Sequence, residues 1–192
     1  MPRVHIPEGQ ADPVEYGFGL GGSLAQAAFD YLHTVYRDSR LSLREFEGAR
    51  ARVAQINGCT ACQEFRGAQD IGPMLAKHGD DPAQGVSARG GAAPDEAFYA
   101  AIADWRGSPL FSARERIAIE MAERYSLAPQ SFKEDEDFWA NVHAHYSDPE
   151  LVDLLLAIGG WVSAGRAMHI LELDSICVLA GREPAPVAIA AE

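Results

Sequence analysis

Two of the chain's three cysteines, Cys59 and Cys62, stand three residues apart in the run Asn57-Gly58-Cys59-Thr60-Ala61-Cys62. Sulfur at that spacing admits three readings. At a helix start, where exposed N–H groups stabilise a thiolate, the pair is a redox couple with a resolving thiol in reach. Packed under the preceding turn, the two are small buried residues without chemistry. A zinc site would need about two further ligands at a second knuckle. Cys177 is isolated and no second Cys-x-x-Cys or His-x3-His exists, so no metal is expected.

Two more side chains bear on this pair. Eleven residues separate Glu47 from Cys59. With Ala51, Ala54 and Gly58, Glu47 forms a line at helical spacing, small enough for another helix to approach and leave a crevice. A carboxylate buried in that crevice would be a general base for a thiol. Alternatively it pairs with Arg50 or Arg44 one turn away, worth roughly 0.2–0.5 kcal/mol on a helix surface, and periodicity alone favours the pair. Arg66 stands four residues beyond Cys62. A guanidinium cannot shuttle protons at neutral pH, but it favours a nearby thiolate or holds an anionic substrate through a bidentate contact.

The elements that must position these groups are helical. Residues 1–22, rich in proline and glycine, are expected to be an irregular N-terminal tail, and 181–192 an alanine-rich C-terminal tail. Between them, 23–180 reads as one all-α domain, with no long segment of period-two alternation. Leu24, Ala27, Ala28, Tyr31, Leu32 and Tyr36 form the buried stripe of a first helix. Ser42-Leu43-Arg44-Glu45 has capping-box spacing and opens a second helix, whose face is Phe46, Ala49, Val53 and Ile56. Asn57-Gly58 stops that helix, because glycine takes a left-handed turn without strain. A third is expected from about Cys59 to Gly72, then a loop over 79–94. Helices resume over Asp95–Trp105 and Ser112–Tyr125, the latter under a second capping box, Ser112 to Glu115. After a helix over Lys133–Tyr146, a long one opens at Ser147-Asp148-Pro149-Glu150 and runs to about Leu179. The capped, Arg-Glu-bearing starts at Ser42 and Ser112 echo each other, but two copies do not make a repeat. Gly159-Gly160 inside the long helix suggests a close helix contact, within the chain or between subunits, the alternative being exposed flexibility. Trp105, Trp139 and Trp161 read as core or interface packing. Of the histidines, His169 could reach a crevice, although a surface or satisfied histidine is the favoured reading, whereas His143 and His145 point in different directions.

Composition sets outer bounds. The chain has 192 residues, 47% hydrophobic and 23% charged, ordinary for one globular domain. A net charge of −12 argues against a nucleic-acid surface or an anionic membrane. The N-terminal residues lack a signal-peptide pattern, and no run reaches a membrane span. A cytoplasmic protein with reduced thiols is therefore expected.

The segment REFEGARARVAQINGCTACQEF, with Glu47 set eleven residues before Cys59-x-x-Cys62, resembles the core motif of the carboxymuconolactone decarboxylase superfamily, in its AhpD-like alkylhydroperoxidase branch. The resemblance extends over residues 24–175, with FSARERIAIEMAERYS and YSDPELVDLLLAIGGWVSAGR similar in style to later helices. It implies an AhpD-like helical subunit in a homo-oligomer, a trimer or hexamer. It also implies Cys62 as peroxidatic cysteine, Cys59 as resolving cysteine and Glu47 as relay carboxylate, with no cofactor and an external thiol or disulfide electron donor. Two family positions differ: the histidine four residues after the second cysteine is Arg66, and one seen just before it is Ala61. The expected activity is that of a thiol-dependent peroxidase or disulfide reductase. The alternatives are a cofactor-independent lyase or decarboxylase, with Arg66 on a substrate carboxylate and Glu47 moving the proton, and a non-catalytic oligomeric binding protein. The decarboxylase branch generally lacks the paired cysteines.

Overall fold

A computed structural model describes residues 1–177 and Leu179; the expected C-terminal tail, 181–192, lies outside the described residues. Among the described residues the regular elements are all helical. In chain order they are α1 (Pro13–Gly19), α2 (Ser23–Asp38), α3 (Leu43–Asn57), α4 (Thr60–Glu64), α5 (Gly67–Lys77), α6 (Glu96–Ala101), α7 (Ala113–Leu127), α8 (Glu136–His145) and α9 (Asp148–Ile170), with short 3-10 turns between.

The core forms where α3, α7 and α9 face one another. Phe46, Ala49 and Val53 of α3 meet Ile117, Ala118 and Met121 of α7 and Leu154, Ile158 and Trp161 of α9. Both expected capping boxes are present, each with its serine and glutamate bonded reciprocally. Their echo acquires a physical meaning here. Arg44 beside the first box pairs with Glu115 of the second at 2.5 Å, and Arg114 beside the second pairs with Glu45 of the first at 2.6 Å. The two helix starts are thus cross-linked, which fixes the register of α3 against α7. Gly159 and Gly160 serve close contacts within the chain. A Cβ at Gly160 would lie 3.1 Å from Leu32 and Tyr31 of α2, and one at Gly159 3.0 Å from the Tyr125 hydroxyl of α7. By length and composition α9 could cross a membrane, yet it carries Leu154, Ala157, Ile158 and Trp161 of the core.

Four expectations change. The segment over 1–22 contains α1, which Asp12 caps by accepting the Glu15 N–H at 2.8 Å. The α2 stripe is largely uncovered in this chain, with Leu24 78% and Tyr31 39% exposed, and Ala25 and Val35 are the buried positions. The long helix ends at Ile170 rather than near Leu179. Glu172 takes the left-handed conformation at φ 53°, and the N–H groups of Glu172 and Leu173 close on the carbonyls of His169 and Met168 at 3.0 and 2.9 Å. That is a Schellman stop built without glycine. Glu172 is held there by the N-terminal amine and Arg3. Finally, the helix expected from Cys59 to Gly72 is two helices, α4 and α5, separated by extended backbone at Phe65 and Arg66.

Candidate redox site

The break between α4 and α5 is made by side chains of α3. Arg50 donates to the carbonyls of Cys62 at 2.6 Å and Phe65 at 2.9 Å, taking backbone acceptors that a continuous helix would use. Glu47 accepts the Gly67 N–H at 3.0 Å, and Asp70 accepts the Arg66 N–H at 2.6 Å. Position 67 must be glycine for this: a Cβ there would sit 2.8 Å from the Glu47 carboxyl carbon. Glu47 and Arg50 are fully buried and joined by two bonds, at 2.5 and 3.0 Å. The Tyr99 hydroxyl adds a further bond to Glu47 at 2.5 Å. Burial alone would depress the Arg50 pKa, but the Glu47 carboxylate beside it holds it above the usual arginine range. The Tyr99 phenol is pushed up by burial and by the same carboxylate, so it stays protonated.

This brace presents the cysteines. Cys59 is the N-cap residue of α4, fully buried, and its sulfur accepts the Cys62 N–H at 3.3 Å. Cys62 is partly exposed, and the two are joined as a disulfide with Cα atoms 5.3 Å apart. Cys62 borders a cavity of about 180 Å³ under α2, α3 and α9. Its walls include Leu32, Tyr36, Arg50, Val53, Phe65 and Trp161. Among the described residues Arg50 makes four hydrogen bonds. A guanidinium has five donors, which leaves one N–H on Nη1, the nitrogen that also holds the Cys62 carbonyl.

Glu47 therefore comes close to α4 as its line of small neighbours suggested, but it reaches Cys62 through Arg50 and is not part of the cavity wall. Arg66 lies elsewhere. It pairs with Glu96 at 2.8 Å, stacks 4.2 Å from the Tyr99 ring, and borders a separate depression. Tyr99 stands between Arg66 and Glu47, so the two do not face a common crevice. His169 packs over Gly58, with Nδ1 3.3 Å from Asp174, and Asp174 in turn accepts the Thr60 N–H at 3.0 Å at the start of α4.

One participant escaped sequence reading and another was read in part. The pairing of Glu47 with Arg50 was expected and is present, but nothing in i+3 spacing distinguishes a surface pair from a buried one. Cys177 is isolated in sequence yet lies in the wall of the Cys62 cavity. Burial and the nearby carboxylates of Asp12, Asp174 and Glu64 push its thiol up to about 11, which keeps it protonated. Among the described residues no cluster of His, Cys, Asp and Glu is arranged to hold a metal ion.

No family model matches the chain. A stretch of 59 residues is 42% identical to YnjA, an uncharacterised protein of Escherichia coli, and covers 31% of each chain. The match thus spans about a third of that relative's length. YdfG, an uncharacterised protein of Bacillus subtilis, is 27% identical over 122 residues, 64% of this chain and 69% of its own. Among solved structures, one from Agrobacterium tumefaciens, a protein of unknown function described as a candidate antioxidant defence protein AhpD, superposes with a TM-score of 0.61. It is 20% identical, and the match covers 88% of this chain and 96% of that one. The fold is therefore AhpD-like.

Proposed function

We propose that the chain is a thiol-dependent redox enzyme, an AhpD-like peroxidase or disulfide reductase, in which Cys62 is attacked or attacks and Cys59 resolves. One observation carries the reading: in a single Cys-x-x-Cys pair, Cys62 opens on an apolar cavity while Cys59 is sealed behind it. In the peroxidase form, the Cys62 thiolate attacks the distal oxygen of a hydroperoxide, the O–O bond breaks, and the leaving oxygen departs as an alcohol or water after gaining a proton. Cys59 then displaces hydroxide from the Cys62 sulfenic acid, giving the disulfide and water. An external dithiol returns both cysteines to thiols by two exchange steps, which suits a reducing compartment such as the cytoplasm. Glu47 acts by fixing Arg50, which holds the Cys62 carbonyl and borders the same cavity as Cys62.

The lyase reading needs Arg66 and Glu47 on one substrate; Arg66 is paired with Glu96, and Glu47 is surrounded by donors from Arg50, Gly67 and Tyr99. The redox reading is the better supported. Self-association belongs to the same proposal. Leu24, Tyr31, Val152 and Leu156 leave an apolar face on α2 and α9 uncovered, which a second copy of the chain would bury.

The test is thiol counting on the fully reduced protein after one equivalent of peroxide. Wild type is expected to go from three free thiols to one, leaving Cys177, and Cys62→Ser to lose none. Cys59→Ser is expected to stop at a sulfenic acid that dimedone traps. Unchanged peroxide-dependent oxidation in both variants would refute the proposal, and no oxidation in wild type would leave the non-catalytic binding reading in its place.

A further inference from the structure

A buried N–H is nearly always paired, because leaving it without a partner forfeits its hydration for nothing. Two of the chain's three tryptophans obey. Trp105 Nε1 donates to Glu123 at 3.2 Å, and Trp139 Nε1 donates to the Phe132 carbonyl at 2.8 Å. Trp161 is only 5% exposed, and its Nε1 has no hydrogen-bond partner among the described residues. The Tyr36 hydroxyl is near enough to feel that N–H without reaching hydrogen-bond geometry, and the two rings lie 6.5 Å apart. Burial pushes the Tyr36 phenol up to about 12, so it too remains a neutral donor.

Both residues border the cavity that holds Cys62. Most of the remaining wall is apolar, including Leu32, Val53, Phe65 and Met168. Its other polar side chains are engaged, save for one N–H on the Arg50 nitrogen that also holds the Cys62 carbonyl. Asn57 donates to the Trp161 carbonyl at 3.1 Å and accepts from Arg166 at 3.1 Å, and the charge of Arg50 is matched by Glu47. Such a site offers hydrogen bonds but no net charge, and an anion or cation would be desolvated there without compensation. Its size also selects. A dry cavity of about 150 Å³ holds benzene, and this one measures about 180 Å³.

We propose that the Trp161 N–H, with the Tyr36 hydroxyl beside it, is the oxygen-binding end of this cavity. The ligand is a compact neutral molecule, an apolar body the size of a substituted benzene ring bearing an acceptor oxygen. The assignment rests on the redox reading in one respect only: the oxygen so held is the one presented to Cys62.

The experiment uses full-length protein labelled with 15N at the indoles, titrated with 2-phenyl-2-propanol and with tert-butylbenzene. These have the same shape, with hydroxyl exchanged for methyl. The alcohol is expected to shift the Trp161 indole N–H downfield and the hydrocarbon to bind without that shift. Trp161→Phe is expected to weaken the alcohol about five- to tenfold, the worth of one hydrogen bond, and the hydrocarbon less than about twofold. Should Trp161→Phe fold poorly, assignment through Trp105→Phe and Trp139→Phe leaves the wild-type titration decisive. An unmoved Trp161 signal, equal preference for the two ligands, or binding of neither overturns the proposal. Repeating the titration on the Cys59→Ser/Cys62→Ser double variant separates the two readings. Selective alcohol binding there, with no peroxide chemistry in wild type, sinks the redox function and leaves the oxygen site standing.

Discussion

Glu47→Gln separates two roles for this residue, because a proton relay and a structural brace fail differently. The carboxylate accepts two bonds from Arg50, at 2.5 and 3.0 Å, one from the Gly67 N–H and one from the Tyr99 hydroxyl. A glutamine keeps a single acceptor oxygen and turns an amide N–H2 towards donors, leaving the buried Arg50 charge without a counterion. Breaking a buried pair by removing one partner costs about 3–5 kcal/mol. In a chain of this size each kcal/mol lowers Tm by about 2–4 °C, so a fall of roughly 6–20 °C is expected. The assay is urea unfolding followed by tryptophan fluorescence, run on Glu47→Gln, Arg50→Met and the double variant. The double variant should be less destabilised than the two single changes summed, by about 0.5–3 kcal/mol, because the second change removes a charge the first left stranded. A Glu47→Gln protein within about 1 kcal/mol of wild type that had lost turnover would refute the brace and restore the relay. Additive losses would refute the coupling.

Two further outcomes follow from charges placed elsewhere. Arg66→Ala is expected to leave turnover within about twofold and stability within about 1 kcal/mol, since its partner Glu96 is 76% exposed and such pairs contribute little; collapse of turnover would revive the lyase reading. Burial alone would raise the Glu123 pKa, but bonds from Arg106, Trp105 and Arg52 hold it at about 2. The Ser147 hydroxyl and N–H, then Arg114, hold Glu150 at about 2 as well. Both carboxyls titrate near 4.5 in the unfolded chain. Their stabilisation is therefore complete above that pH and disappears as pH falls towards about 2. The stability gap between wild type and Glu123→Gln or Glu150→Gln should narrow across that window, and a gap independent of pH in acid denaturation curves would contradict the assignment.

What was legible in the sequence was whatever a short stretch decides for itself. The capping boxes at Ser42 and Ser112, the glycine stop at Gly58 and the helical class depend on neighbours within a turn. The end of α9 was not legible, because its left-handed position is held by Glu172, a residue without that preference, tied down by Arg3 and the N-terminal amine from the far end of the chain. The split between α4 and α5 was equally hidden. Gly67 alone does not end a helix at Phe65; Arg50, fifteen residues before Phe65, takes its carbonyl. At the site, the cysteine pair and Glu47 could be found by spacing. The separation of Arg66 from Glu47 could not, since it depends on Tyr99 arriving from α6.

The hold on α4 has a consequence for descent. Asp174 takes the N–H at the start of this helix, and Arg50 takes the carbonyls of Cys62 and Phe65 at its end. The bond between Cys59 and Cys62 closes so short a loop that it restrains little of the unfolded chain. Backbone geometry here is thus inherited mainly through Asp174, Arg50 and Glu47; the Cys59 sulfur adds one cap bond, and the Cys62 sulfur rides on the turn as a passenger. A lineage can mutate Cys62, or replace Cys59 by another capping residue, and keep these holds on the helix, so that chemistry at this corner is free to change hands while the architecture passes on.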